Sequence, residues 1–223
     1  MVLESLLWRL NHDESTAPSR VGVEAMRLGA AAEYLGLAAA VLAWVVIGVC
    51  VVTNPWFVFT KNAFSDLGGP KSTDPWLYND GLIGVAVLVF LYAIYLTRLG
   101  VNKVEVVSAS FVMVAAVFLA LIGIYHEGTY PHVFVSTWFF VQFDTAILTS
   151  GIGLLLRGLK NLAYGVLSLF LIATLVAALV PWPSAATIEA WGISAIDVWA
   201  VLVFTSYRSK PKNSSMQIRA HFK

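Results

Sequence analysis

Only one cysteine, Cys50, occurs in 223 residues, so no internal disulfide can staple the chain. Charged side chains are scarce as well, at 12%, which excludes a disordered polyelectrolyte. The 14 basic residues are nearly balanced by 13 acidic ones, and that leaves no excess to hold nucleic acid. Glycine-rich phosphate loops, Walker motifs and haem-attachment cysteines are missing, so nucleotide-driven transport has no support in this chain. The apolar runs are continuous rather than alternating, which excludes barrel strands. What is there is apolar: 59% of the residues and a mean hydropathy of +0.78, too high for a domain dissolved in water. The chain reads as an all-α integral membrane protein.

A helix needs about 20 mostly apolar residues to cross a hydrocarbon core of roughly 30 Å. Six stretches qualify, at about 31–53, 77–97, 104–125, 133–156, 161–180 and 187–207, and together they predict a six-helix bundle over 31–207. Twelve of the 14 Lys and Arg residues fall before the first span, between the even-numbered spans and the next, or after the last; only Lys61 and Lys71 lie on the other side. Short basic loops stay in the cytoplasm, so this asymmetry predicts a cell-membrane protein with both termini cytoplasmic. Residues 1–30 open with Leu3, Leu6, Leu7 and Leu10 beside Trp8 and Arg9, the pattern of an amphipathic helix on the cytoplasmic leaflet. The first ten residues lack the basic start and long apolar core of a secretory signal. Residues 208–223 are polar, basic and interrupted by Pro211, and they read as a disordered tail drawn to anionic lipid.

The first loop on the expected outer side is the longest, NPWFVFTKNAFSDLGGPKSTDPW, and it is too apolar to float in water. A short interfacial or re-entrant helix over about 57–64, ended by Ser65-Asp66-Leu67-Gly68-Gly69-Pro70, would bury its aromatic residues. Asp74 before Pro75 reads as the N-cap of the second span, with proline at the first helical position.

Three runs carry a family resemblance: Asn54-Pro55-Trp56-Phe57, then Asn62-Ala63-Phe64-Ser65-Asp66-Leu67-Gly68, then Asn79-Asp80-Gly81-Leu82-Ile83. With them the chain resembles the prokaryotic membrane-protein family named for domain of unknown function 998 (DUF998). The resemblance implies a six-helix fold and assigns no reaction. The Ser-Asp-x-Gly of the same loop is also similar to the DRAM and Sfk-type six-span proteins, which are linked to lipid handling.

The second outer loop, Tyr125-His126-Glu127-Gly128-Thr129-Tyr130-Pro131-His132, places two of the four histidines and a carboxylate within seven residues. It is not the zincin H-E-x-x-H, because the second histidine comes at i+6 and Gly128 and Pro131 interrupt any helix between them. If this loop met the first, Ser65, Asp66, Asp80, His126, Glu127 and His132 would form one polar pocket, with the Ser136 hydroxyl one turn below His132. Three readings follow: helix-end caps that tie loops together in a structural or accessory subunit, a site for a lipid headgroup, small molecule or cation, or a metal-dependent lipid hydrolase. In the last, His126, His132 and Asp66 would hold zinc or another divalent metal. That reading resembles ceramidase-type membrane hydrolases, from which the chain departs in having six spans and only two histidines on this side. Cys50, inside the first span, reads as a small packing residue.

Asp144 and Asp197 lie 11 and 10 residues from the outer ends of their spans, about 15 to 17 Å deep. At that depth an acid needs a proton, a hydrogen-bonding neighbour or a wet cavity. Their matched depth allows the two to meet and share one proton. The sequence therefore predicts a protein that binds or moves a lipid or small ligand through a polar outer vestibule. Its partners would be the bilayer, that ligand and possible membrane-protein subunits, with no nucleic acid, and it reads as a binding protein ahead of an enzyme.

Overall fold

The structure, a computed structural model, describes residues 31–208. The expected amphipathic segment in 1–30 and the basic tail beyond 208 lie outside the described residues. Six helices follow one another: α1 Leu35–Thr53, α2 Pro75–Leu99, α3 Lys103–Ile124, α4 His132–Leu156, α5 Lys160–Leu179 and α6 Ala185–Arg208. All six are long and apolar enough to span a membrane, and among the described residues there is no strand. Their ends fall within four residues of the spans expected from hydropathy. The reason is physical: lipid offers the backbone no hydrogen bonds, so an apolar run of this length has to be helical throughout.

Helix ends obey local chemistry. Asn102 caps α3, its Oδ1 accepting the N–H groups of Val104 at 3.1 Å and Glu105 at 3.0 Å. Asp74 does occupy the N-cap of α2 with Pro75 at N1, but its carboxylate accepts the Trp76 indole N–H at 3.3 Å instead of capping the helix backbone.

The tightest packing runs through α2, α3 and α4, with α1 laid on α2 and α5 on α4. Close approach is made possible by small residues, as usual where lipid removes the hydrophobic drive between helices. Gly123 of α3 faces the Asn79 carbonyl of α2 where no Cβ would fit, and Gly151 of α4 does the same for Leu167 of α5. Helix α6 is different. It lies along α5 but touches α1 and α4 only sparsely. Indole donors hold it instead: Trp199 Nε1 donates to Ser150 Oγ of α4 at 2.8 Å, Trp191 Nε1 to the Ala173 carbonyl of α5 at 3.0 Å, and Trp44 Nε1 of α1 to Asp197 Oδ2 at 2.7 Å. The gap left by this stand-off is the principal cavity of the molecule.

The 54–74 loop differs from expectation. Its helical piece is a single 3-10 turn, η1, at Phe64–Gly68, and not a helix over 57–64. Two side chains explain the displacement. Asn62 Oδ1 accepts the Val58 N–H at 2.8 Å, which stabilises a turn where the helix would have started. Asp66 Oδ2 accepts the Ala63 N–H and Asn62 Nδ2, each at 3.0 Å, and so opens the 3-10 turn. The aromatic residues bury against each other: Phe64 stacks on Phe57 at 5.9 Å and meets Phe59 and Trp44 at 5.9 and 6.3 Å. The loop base hangs on Asn54, 1% exposed, whose Oδ1 accepts from Thr73 N–H (2.9 Å) and Trp56 Nε1 (3.1 Å) while its Nδ2 donates to the Cys50 carbonyl (2.8 Å). Asn79 of α2 completes the frame by donating to the Gly68 carbonyl at 3.0 Å.

Candidate binding cavity

The cavity measures about 100 Å3, where a single buried water needs roughly 10–15 Å3. It is walled by α1, α2, α3, α4 and α6 and closed at the long-loop end by Phe64 and Ser65 of η1. Along α2 its wall runs from Tyr78 to Tyr92, which at 1.5 Å per residue is about 21 Å. Most of that wall is apolar, from Ile47, Val85 and Leu119 to Phe143 and Trp199. Polar groups gather at the loop end: Ser65, Tyr78, Ser136 and Glu189, with Asp197 deeper on α6.

Beside this end the two long-loop-side connections meet. Thr129 N–H donates to the His126 carbonyl at 3.1 Å, closing a turn in which Gly128 has φ +91°, a conformation an L side chain resists. The turn presents Glu127 to η1 and to α4. Glu127 Oε2 accepts from Ser65 Oγ at 3.4 Å and lies 3.0 Å from His132 Nε2. His132 is 5% exposed, and its Nδ1 lies 2.8 Å from the Tyr125 carbonyl. A carbonyl can only accept, so Nδ1 carries a hydrogen and donates it there, which fixes the ring and turns Nε2 toward the Glu127 carboxylate. Ser136 Oγ is 3.4 Å from the same Nε2, which links this pair to the cavity wall.

The structure thus brings Ser65, Glu127, His132 and Ser136 into one chain of contacts. It does not bring in the others equally. Asp66 serves the turn that contains it, bonded to Ala63 and Asn62. His126 turns its Nδ1 to the Glu127 backbone carbonyl, 2.9 Å away, and not to the carboxylate. Asp80 sits on the exposed side of α2, outside the cavity. Among the described residues no three His, Cys, Asp or Glu side chains converge as a metal ion requires, and His126, His132 and Asp66 do not form such a group. Asp144 and Asp197, whose matched depth allowed them to meet, are each bonded elsewhere. Asp144 accepts from Thr174 Oγ1 of α5, 3.1 Å from each oxygen, while Asp197 accepts from Trp44 of α1.

Glu189 is the residue that hydropathy reading passed over. Its Oε2 accepts the Phe64 N–H at 2.7 Å, fastening η1 to α6. The signal was present: an acid two residues inside an expected span, where any acid calls for a reason. It was hidden by its nearness to the end of the helix. Tyr78 and Trp44 were equally silent, since an aromatic residue in a span looks like filling until its polar atom is located.

The DUF998 description, "Protein of unknown function", matches residues 37–206, nearly the whole of the six-helix region. The chain belongs to the DUF998 family. Comparison with curated proteins and with solved structures gives no match. The runs that carry the family resemblance lie within the matched region and have a common place in the fold. Asn54, Asn62, Asp66, Gly68 and Asn79 all build the loop frame that closes the cavity. The protein is an integral membrane protein with six apolar helices.

Proposed function

We propose that this protein binds an amphiphile, a lipid-like molecule whose apolar part lies in the cavity and whose polar end rests among Ser65, Tyr78, Ser136 and Glu189. The observation that carries the reading is the uneven polarity of the cavity: a mostly apolar wall about 21 Å long with Ser65, Tyr78, Ser136 and Glu189 gathered at one end. A water-soluble ligand has no use for such a wall, and a purely apolar one has no use for the polar end. The basic asymmetry of the sequence supports placing that end on the outer face of the cell membrane, with the sparse α1–α6 seam as the route from the bilayer.

The test is binding of a long-chain alcohol carrying a nitroxide on its tail, read by quenching of tryptophan fluorescence in protein reconstituted into phosphatidylcholine nanodiscs. Trp199 lines the cavity and should be quenched saturably. The Ala43→Phe variant, which fills the wall at α1, should abolish saturation while the melting temperature holds. Unsaturable quenching, identical in both proteins, would remove the binding reading and leave a structural or accessory subunit.

A further inference from the structure

The chemistry of the head is legible in the same cavity, and this inference rests on the amphiphile reading above. We infer that the polar end is built for a protonated amine, so that the ligand class is a long-chain amine or an amino-headed lipid. Three observations converge on it.

The first is charge. Among the described residues the carboxylates lining the cavity are Glu189 and Asp197, and no Lys, Arg or His lines it. Asp197 is engaged by Trp44 at the seam, which leaves Glu189 at the head. The second is vacancy in the hydrogen-bonding sense. Glu189 uses only Oε2, on the Phe64 N–H, so Oε1 has no protein donor among the described residues. Tyr78 is 6% exposed and lines the cavity, yet its hydroxyl has no hydrogen-bond partner among the described residues. A buried phenol that lines the cavity beside Glu189 without a partner is left for something that enters the cavity. The third is the balance of the surroundings. Glu127 faces His132 and Ser65, Asp66 holds the Ala63 N–H and Asn62 Nδ2 in its own turn, and neither carboxylate lines the cavity, which leaves Glu189 as the acid at its polar end.

An ammonium head carries three donors and no acceptor. Glu189 Oε1, Tyr78 Oη and the Ser65 or Ser136 hydroxyl supply three acceptors at one end of an apolar slot. A carboxylate or phosphate head would meet Glu189 without a single cation in the wall to offset it, and the low dielectric would make that repulsion costly.

The experiment uses the full chain in phosphatidylcholine nanodiscs and three tail-nitroxide probes with the same chain: an amine, an alcohol and a carboxylic acid. Saturable tryptophan quenching should be at least about tenfold tighter for the amine than for the alcohol, since a charge-assisted hydrogen bond exceeds a neutral one by about that factor. The acid should bind most weakly. Glu189→Gln, which keeps an acceptor for Phe64 N–H, should erase the amine's preference over the alcohol. Tyr78→Phe should weaken the amine several-fold. Equal saturable binding of all three heads, or tightest binding of the acid, overturns the amine inference while the amphiphile reading stands. Failure of all three to saturate overturns both. An unchanged melting temperature certifies that Glu189→Gln is folded; if it is not, Tyr78→Phe serves as the second variant, and full amine preference in a folded variant of either residue sinks the proposal.

Discussion

Trp44 Nε1 donates to Asp197 Oδ2 at 2.7 Å, and this bond fastens the first helix of the bundle to the last. The same indole meets Phe64 edge-on at 6.3 Å, and Phe64 in turn gives its N–H to Glu189. One tryptophan therefore connects the seam between α1 and α6 to the turn that closes the cavity.

Removing the donor tests whether that seam is held by it. Trp44→Phe should destabilise the protein by about 0.6 to 1.7 kcal/mol, the range of hydrogen bonds between membrane helices. Asp197→Asn keeps an acceptor for the indole and should cost less than Asp197→Leu. Chemical unfolding in mixed micelles measures all three; equal stability of Asp197→Asn and Asp197→Leu would show that the bond does not hold the seam.

Asp144 and Asp197 have different partners, so their substitutions should be independent. The double variant Asp144→Asn with Asp197→Asn should equal the sum of the two single effects within about 0.5 kcal/mol. A larger coupling energy would mean that the two carboxyl groups sense each other, contrary to the separate bonds to Thr174 and Trp44.

Asn54 binds its neighbours through both ends of its amide while 1% exposed. Asn54→Ala removes the buried acceptor of the part-buried Thr73 N–H and Trp56 indole N–H, and stability should fall by about 1–3 kcal/mol. Limited proteolysis should then cut within 54–74 while the helices stay protected. Unchanged cleavage would remove Asn54 from its place at the loop base.

Two glycines on paper look alike and should behave oppositely. Gly128 holds φ +91°, so Gly128→Ala should cost about 1–2 kcal/mol and loosen the contact between Glu127 and His132. Gly84 of α2 has nothing within 4 Å of an added Cβ, and Gly84→Ala should be neutral or mildly stabilising because alanine favours helix. Thermal unfolding of the pair decides it; equal effects would refute the turn geometry.

Orientation can be read by labelling. Tyr130, 101% exposed, lies at the long-loop end and Val101, 64% exposed, at the opposite end. In a Cys50→Ala background, Tyr130→Cys should react with an impermeant maleimide on intact cells, and Val101→Cys only after permeabilisation. The reverse pattern would invert the proposed topology.

The six helices were legible in the sequence because their cause is local and repeated. Each is an apolar run of the length that lipid demands, and bare composition carries that information without any knowledge of neighbours. Cys50 as a buried packing residue and Pro75 at the start of α2 were legible for the same reason. The meeting of the two outer loops was suggested by their shared side of the membrane and their polar content, and the structure supplies a contact between Ser65 and Glu127.

What the tertiary structure decided depends on where helices stand relative to one another. Equal depth brought Asp144 and Asp197 together on paper, but depth is one coordinate, and rotation about each helix axis sends one to Thr174 and the other to Trp44. The 3-10 turn arose at Phe64–Gly68 because Asn62 and Asp66 compete for backbone N–H groups that an apolar-spacing argument assigns to a helix. The cavity and its head, Glu189 with Tyr78, exist only because α6 stands off from α1 and α4. Hydropathy averages over all faces of a helix, so it reports that a segment lies in the membrane, while packing selects which face meets lipid, which meets protein and which is left facing a void.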